Sequence, residues 1–226
     1  MKRFLLVAAL ACVALCGCQN REEMELRELL DKLQAQVQPV NKASALAYWE
    51  GTTTGNAEKF EEYAQLNQQL TMITSDKEVF ERLKALREGG KISDPTLKRE
   101  LEVVYNTFLG NQADTTLLNE IINRSSQLEQ KYASFRANYG GKEVSDNEIN
   151  EVLRTSTSSK ELEAAWMAHK AIGDVVAADV IEIVKLRNEV ARSLGFENYH
   201  SMSLELSGQD PAEVSALFEE LDAMTR

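Results

Sequence analysis

Histidine is the residue on which metal binding and proton transfer most often depend, and this sequence contains only two, His169 and His200. Neither belongs to a His-Glu-x-x-His pair. A catalytic zinc ion normally takes about three protein ligands, and two of them are commonly imidazoles. The helical pattern places these histidines on different helices, so a shared site stays open, but two unrelated histidines are the favoured interpretation. We therefore assign no catalytic residue and no metal ligand.

Other patterns that carry chemistry are also missing. The sequence has no glycine-rich phosphate loop, no Gly-x-Ser-x-Gly elbow and no calcium-loop spacing. Its many carboxylates fall on helix faces that we expect to be solvated. Tyr48, Trp49 and Trp166 could stack on a ligand, but packing in the core is the favoured interpretation of these aromatic residues.

The N-terminus has the form of an export signal. Lys2 and Arg3 precede an apolar run over residues 4–15, which is shorter than the roughly 20 residues that a membrane-spanning helix needs. The run leads into Leu-Cys-Gly-Cys, ending at Cys18, which is the pattern that lipoprotein processing reads. We predict a signal peptide over residues 1–18 with lipidation of Cys18. The alternatives are a plain secretory signal with incidental cysteines, or an ordinary buried helix.

Lipidation would place the protein in the cell envelope. Several buried acyl chains anchor a protein stably, and the Gln19-Asn20 pair that follows contains no aspartate to indicate inner-membrane retention. We expect an outer-membrane or periplasm-facing location and contact with the membrane through the lipid only. Because Cys12 and Cys16 would leave with the signal, the mature body would contain no free thiol.

The charge of the chain argues against nucleic acid as a partner. The formal net charge is −11, and removal of Lys2 and Arg3 with the signal would take it to −13. Such a surface repels phosphate groups and anionic lipid head groups. We interpret the acidity as a source of solubility.

Few residues interrupt the chain, so we predict an all-α fold. There are 3 prolines and 11 glycines among 226 residues, and apolar residues recur at helical spacing from Arg21 onward. We predict a helix that ends before Pro39, a short helix to Trp49, and a loop over residues 51–55. The pair Gly140-Gly141 is the predicted hinge between a helical bundle over residues 19–140 and a long-helix region over residues 141–226.

Several helix starts carry capping signals. We predict starts at Asn56, at Ser75 with Glu78, at Asp94-Pro95, at Ser145 with Glu148 and at Asp210-Pro211. One long helix is expected over residues 114–138 and another from Ser158 or Ser159 to about Leu194. In the last helix we expect a buried face of Val214, Leu217, Phe218 and Leu221.

The segment from Lys160 to Leu206 resembles a known family. It reads Lys-Glu-Leu-Glu-Ala-Ala-Trp-Met-Ala-His-Lys, then Ile-Val-Lys-Leu-Arg-Asn-Glu-Val-Ala-Arg over residues 183–192, then Ser-Leu-Gly-Phe-Glu-Asn-Tyr over residues 193–199. This order and spacing resemble the angiotensin-converting-enzyme family of zinc peptidases and their thimet-oligopeptidase-like relatives. Tyr48-Trp49 followed by Thr-Thr-Thr-Gly over residues 52–55 also resembles bacterial lipoprotein members.

The same residues can also be explained by helix packing, without reference to the family. Val190 belongs to the predicted apolar face, together with Leu186 and Leu194. Ala191 would let another helix approach closely, Gly195 would end the helix, and Phe196 and Tyr199 would pin the turn. We interpret Arg187, Asn188 and Arg192 as structural hydrogen-bonding residues.

The resemblance implies a zinc peptidase that hydrolyses short peptides, in which a His-Glu-x-x-His motif and a downstream glutamate hold the metal. It implies that this chain forms the helical lid and one wall of the substrate channel. The last helix ends at Thr225-Arg226 without a capping signal, so we expect an N-terminal portion that is incomplete at its C-terminus, binds no zinc and is inactive alone. Half of a shared core would leave apolar helix faces exposed. The alternative is a non-enzymatic helical envelope lipoprotein that binds peptides or serves as a scaffold.

Overall fold

The computed structural model describes residues 20–226, which are predominantly α-helical, and the predicted all-α class is confirmed. Cys18 and the rest of the predicted signal peptide lie outside the described residues. Between Asn20 and Arg226, no helix is both long enough and apolar enough to cross a bilayer. The helices are α1 (Arg21–Thr54), α2 (Ala57–Thr74), α3 (Lys77–Gly89), α4 (Pro95–Gly110), α5 (Thr115–Ser134), α6 (Asp146–Thr155), α7 (Ser159–Lys170), α8 (Ile172–Ser193), α9 (Tyr199–Leu206) and α10 (Pro211–Thr225).

Helix α1 corrects two predictions, because it passes through Pro39 and through the expected loop at residues 51–55. Proline removes one backbone hydrogen bond, and the packing of α1 along α2 compensates for that loss. The hydroxyls of Thr52, Thr53 and Thr54 donate to backbone carbonyls four residues earlier, at 2.9, 2.7 and 2.6 Å, and so follow the helix. The helix ends at Gly55, whose φ of 74° is left-handed.

The long helices pack in a row, with α1 on α2, α2 on α5 and α5 on α8. Helices α3 and α4 cover the first half of α1 and enclose the largest apolar core, which includes Leu26, Leu83, Leu97, Leu101 and Phe108. A second core joins α5, α8 and α9, and a third lies where α6 and α7 meet a small hairpin. The row leaves a concave surface between α1, α2, α4, α5 and α8.

Most of the predicted helix starts are confirmed. Asn56, Asp94 and Asp210 accept backbone N–H bonds at their helix starts, and Ser145 forms a full capping box with Glu148. The predicted start at Ser75 is wrong by one residue. The neighbouring Asp76 caps α3, because its carboxylate accepts the Val79 N–H at 3.0 Å.

Both predicted long helices are shorter than expected. Helix α5 ends at Ser134, and strands β1 (Ala137–Tyr139) and β2 (Lys142–Val144) pair in an antiparallel hairpin. Gly140 and Gly141, with φ of 61° and 79°, form its turn. The helix expected from residue 159 to 194 is divided at Ala171 into α7 and α8. The division of the chain into bundle and long-helix regions stays a prediction.

Helix α10 contradicts the expected buried face. None of its residues is buried, and Leu217, Phe218 and Leu221 are 55%, 65% and 45% exposed. Val214 alone of the four is half-buried. The amphipathic pattern is present, but within residues 20–226 only α9 packs appreciably against this helix.

Candidate functional site

The two histidines lie in different settings. The Nδ1 atom of His169 on α7 lies 2.9 Å from a carboxylate oxygen of Asp146 on α6, whereas His200 is exposed on α9. Over residues 20–226 there is no group of three or more His, Cys, Asp or Glu side chains that could hold a metal ion. The residues that the structure describes therefore do not fit a catalytic zinc ion.

The aromatic candidates do not pack as expected. Trp49 is 69% exposed and Trp166 is 51% exposed, so the favoured interpretation as core residues is wrong for both tryptophans. Tyr48 contacts Tyr63 of α2, with ring centroids 4.9 Å apart and planes tilted by 44°. Of the three aromatic candidates, Tyr48 is therefore the one that contacts a residue of the concave surface.

The concave surface contains two adjoining cavities, which we call the inner and outer sections of the central groove. The inner section has a volume of about 420 Å³ and the outer section about 720 Å³. Val37 and Asn41 of α1, Thr74 of α2 and Thr107 of α4 line both sections, so the two form one continuous groove. A groove of this size suits an extended ligand.

The outer section is largely apolar with a charged rim. Leu30, Leu33 and Val37 of α1 face Val104 and Phe108 of α4 across it. Charged side chains of both helices complete the lining, namely Arg27, Asp31, Arg99 and Glu100. This section could accept apolar groups of a ligand whose backbone remains near the charged rim.

The inner section contains an unpaired carboxylate. Glu129 of α5 is half-buried, and its Oε2 atom is inaccessible to solvent and has no hydrogen-bond partner among residues 20–226. Burial raises the pKa of Glu129, and the positive charge of Arg187 partly opposes that rise. One helical turn earlier, the Oγ atom of Ser125 is likewise buried without a partner. Buried polar atoms are normally hydrogen-bonded, so two such atoms in one groove are unusual.

Polar side chains of α2 form the opposite side of the inner section. The Nδ2 atom of Asn67 donates to the backbone carbonyl of Tyr63 at 2.8 Å and to the Ser44 hydroxyl at 3.3 Å. Burial raises the pKa of the Tyr63 hydroxyl, and the negative charge of Glu129 adds to the rise. The two hydrogen bonds fix the Asn67 carboxamide in the lining of the inner section.

Arg187 of α8 brings a positive charge to the same section. Its guanidinium carbon lies 5.2 Å from the centroid of the Tyr199 ring, within cation–π range. The carboxamide oxygen of the neighbouring Asn188 accepts the Tyr199 N–H at 2.9 Å, which confirms the structural interpretation of Asn188. Arg187 also lines the groove, a role that its interpretation as a structural residue did not include.

The expected packing of the Leu-Arg-Asn segment is confirmed for its C-terminal part, whereas Leu186 is half-buried and outside this core. Val190 and Ala191 are buried, at 3% and 0% exposure, and Leu194, Phe196 and Tyr199 pack around them. Ala191 has the small side chain that this close packing requires. The core below therefore holds Arg187 at the edge of the groove.

The groove as a whole is suited to recognition by hydrogen bonds. Its lining includes the Glu129 side chain, the Arg187 guanidinium, and amide groups on Asn41, Asn67 and Asn111. Sequence reasoning missed Glu129, because its burial depends on residues of α2 and α8 that are distant in the chain. The resemblance did draw attention to the Arg187 segment.

A comparison with protein families gives a match over most of the chain. The family model described as Peptidase_M2, angiotensin-converting enzyme, matches residues 20–223. No curated protein matches the chain. The family match spans all the helices that line the central groove.

Proposed function

This chain belongs to the angiotensin-converting enzyme family of peptidases, and we propose that it takes part in the hydrolysis of short peptides by a zinc enzyme of that family. In this proposal the helices of residues 20–226 supply the lid and one wall of the substrate channel. The observation that carries the proposal is the central groove, which offers an apolar section and a hydrogen-bonding section along one continuous path.

Zinc would have to be held elsewhere. The printed sequence contains no His-Glu-x-x-His motif, and the residues that the structure describes do not fit the metal. The proposal therefore requires the metal-binding motif to come from polypeptide other than residues 1–226. The role of the present residues is to bind and orient the peptide.

Exposed apolar surfaces support contact with further polypeptide. Val180, Ile181 and Val184 of α8 are 42%, 55% and 47% exposed, and Leu217 and Phe218 of α10 are more than half exposed. Apolar surfaces of this kind commonly mark protein–protein contacts. We propose that these helices pack against the part of the enzyme that carries the zinc motif.

A lipid on Cys18 would hold the enzyme at the cell envelope. This part of the proposal is supported by the sequence pattern over residues 1–18. Mass spectrometry of the protein from membranes would test it, with a diacylated N-terminal cysteine as the expected product and Cys18→Ser as the control. An unmodified Cys18 in membrane-extracted protein would contradict it.

The proposed enzymatic function is tested on the native gene product. We expect the product purified from its own cells to contain one zinc ion per molecule and to cleave an internally quenched pentapeptide, with loss of cleavage after chelation. We expect the 226-residue chain alone to bind the same peptide without cleaving it. A native product that neither contains zinc nor cleaves peptides would contradict the proposal.

The second proposed function also rests on the central groove. A non-enzymatic envelope lipoprotein could use the same groove to bind peptides or to act as a scaffold, since the groove requires no metal for recognition. Peptide binding by a native product without zinc and without hydrolysis would support this alternative.

A further inference from the structure

The central groove is formed by two blocks of packed helices. The first block consists of residues 21–38 of α1 with α3 and α4, which together enclose the largest apolar core. The second block consists of residues 40–54 of α1 with α2, α5, α8 and α9, which pack on one another along the row. Within α1 the change of partner falls at Pro39, because Leu33 lies in the largest core whereas Ser44 accepts a hydrogen bond from α2.

Each section of the groove belongs mainly to one block. The outer section is lined by side chains from residues 27–37 of α1 and 97–108 of α4, and among its lining residues only Asn41 and Thr74 belong to the second block. The inner section is lined mainly by α2, by α5 and by Arg187 of α8. The relative orientation of the two blocks therefore decides whether the two sections form one continuous path.

The chain passes between the blocks at the neck of the groove, which we define as the residues that line both sections, namely Val37, Asn41, Thr74 and Thr107. Two of these passages are the short connections over residues 75–76 and 111–114. Another is α1 itself at Pro39, which lies between Val37 and Asn41. Proline has no backbone N–H to donate, and helix bends concentrate at such positions. The neck therefore has the features of a hinge.

Away from the neck, the end of α9 connects the second block to α4 of the first block. The Nδ2 atom of Asn106 donates to the backbone carbonyl of Leu206 at 3.1 Å, in the last turn of α9, where carbonyls have no partner within their own helix. A Cβ atom placed at Gly110 would lie 3.2 Å from Cδ1 of Leu206, and one placed at Gly208 would lie 3.3 Å from Nη1 of Arg99. We call these contacts the α4–α9 latch. Its one neutral hydrogen bond contributes little net free energy, so the latch can open without loss of either core.

We propose that the α4–α9 latch aligns the two sections of the central groove, and that its opening lets the first block pivot about the neck. Asn106 is then a positioning residue, because it acts through α9 and needs no contact with a ligand. A ligand that fills both sections would favour the latched state, since it binds that state better than the open one. The inference goes beyond the proposed function, because it holds for any ligand of that length and can be tested without one.

The test measures distances between spin labels by pulsed electron paramagnetic resonance. The full chain is used with its three native cysteines replaced by serine, and the labels are attached to Lys98→Cys in α4 and Glu189→Cys in α8, both at exposed positions. Asn106→Asp opens the latch, because it keeps the size of the side chain but replaces the N–H donor by an acceptor that repels the Leu206 carbonyl.

Opening should lengthen the distance between these two labels. A proline hinge allows a rotation of about 20°, and Lys98 lies roughly 14 Å along α4 from Thr107 at the neck. We therefore expect Asn106→Asp to lengthen the mean Lys98–Glu189 distance by about 5 Å. Pro39→Ala supplies the missing N–H of α1 and should reduce that lengthening by about half or more.

A second label pair and a second variant serve as matched controls. Labels on Glu61→Cys in α2 and Glu189→Cys in α8 both lie in the second block, so their distance should not change in Asn106→Asp. Asn147→Asp adds the same charge at an exposed position of α6 and should leave both distances unchanged. Circular dichroism checks that each variant is folded.

An unchanged Lys98–Glu189 distance in folded Asn106→Asp would overturn the inference. Equal changes in both label pairs would also overturn it, because they would show a general loosening rather than the pivoting of one block. If Asn106→Asp does not fold, Pro39→Ala in the chain with an intact latch decides the question. The inference then predicts a narrower Lys98–Glu189 distance distribution than in the chain with Pro39, and an equal or wider distribution would overturn it.

Discussion

Gly51 offers a sensitive test of how the long helices are packed. It lies inside α1, is buried, and faces the ring of Phe60 on α2, where a Cβ atom would come within 3.2, 3.3 and 3.4 Å of three ring atoms. Phe60 cannot easily move away, because it is 1% exposed and its backbone carbonyl accepts a 2.6 Å hydrogen bond from the buried Ser126 hydroxyl of α5. Gly51→Leu would therefore force α1 and α2 apart.

The expected change in the free energy of unfolding of Gly51→Leu is the sum of two opposing effects. Replacing glycine by leucine inside a helix gains about 0.8 kcal/mol in helix propensity, whereas overpacking a buried contact costs about 1–3 kcal/mol. The net loss should lie between about 0.2 and 2 kcal/mol. Each kcal/mol lowers the melting temperature by about 2–4 °C for a chain of this size. Urea unfolding followed by circular dichroism measures the free energy directly.

Gly173→Leu is the matched control, because within residues 20–226 a Cβ placed at this position of α8 has no atom within 4 Å apart from its chain neighbours and the nearby backbone of its own helix. It should leave the free energy of unfolding unchanged or raise it by a few tenths of a kcal/mol. If Gly51→Leu were as stable as the unaltered chain, or if both variants changed equally, the close contact between α1 and α2 would be refuted.

Three further predictions follow from the fold. Leu26→Ala, at a site with 0% exposure in the largest core, should lower the free energy of unfolding by about 2–5 kcal/mol in urea titrations, and an unchanged value would contradict that core. Backbone N–H bonds at the start of α5 lower the pKa of Asp114 below its ordinary 3.8. The ionised carboxylate should therefore stabilise the fold above pH 3.8, and this stabilisation should be lost as the pH falls through the lowered pKa. Asp114→Asn should reduce the acid dependence of the melting temperature, and an unaltered acid profile would refute this. Phe218→Ser, at a side chain that is 65% exposed, should leave the melting temperature unchanged but reduce self-association in sedimentation measurements, whereas a large drop in melting temperature would mean that Phe218 is packed in solution.

Local signals predicted the fold best. The starts at Asp94, Ser145 and Asp210 were identified because each depends on a side chain that accepts an N–H two or three residues ahead. The break at Ala171 was missed because the N-terminus of α8 has no side-chain cap. Pro39 was misjudged because the contact of α1 with α2, rather than local propensity, keeps α1 continuous.

The residues of the candidate site were predicted less completely than the helix starts. The family resemblance singled out the segment around Arg187, and the spacing within α8 correctly predicted how Val190 and Ala191 pack. Neither signal indicated Glu129, because a glutamate on an amphipathic helix is usually solvated. Its significance appears only when Tyr63 and Arg187 are brought beside it by other helices.

The start of α1 has a consequence for how the protein would stand on a membrane. Asn20 accepts the Glu22 N–H and donates to the backbone carbonyl of Lys91, so the first turn is tied to the segment before α4. If Cys18 carries lipid, only two residues separate the lipidated cysteine from the first residue of α1. At a rise of about 1.5 Å per residue, Val37 lies roughly 24 Å along this helix from its start. The distance between the groove and the lipid would then have an upper limit. Soluble peptides would be captured only in a thin layer next to the membrane.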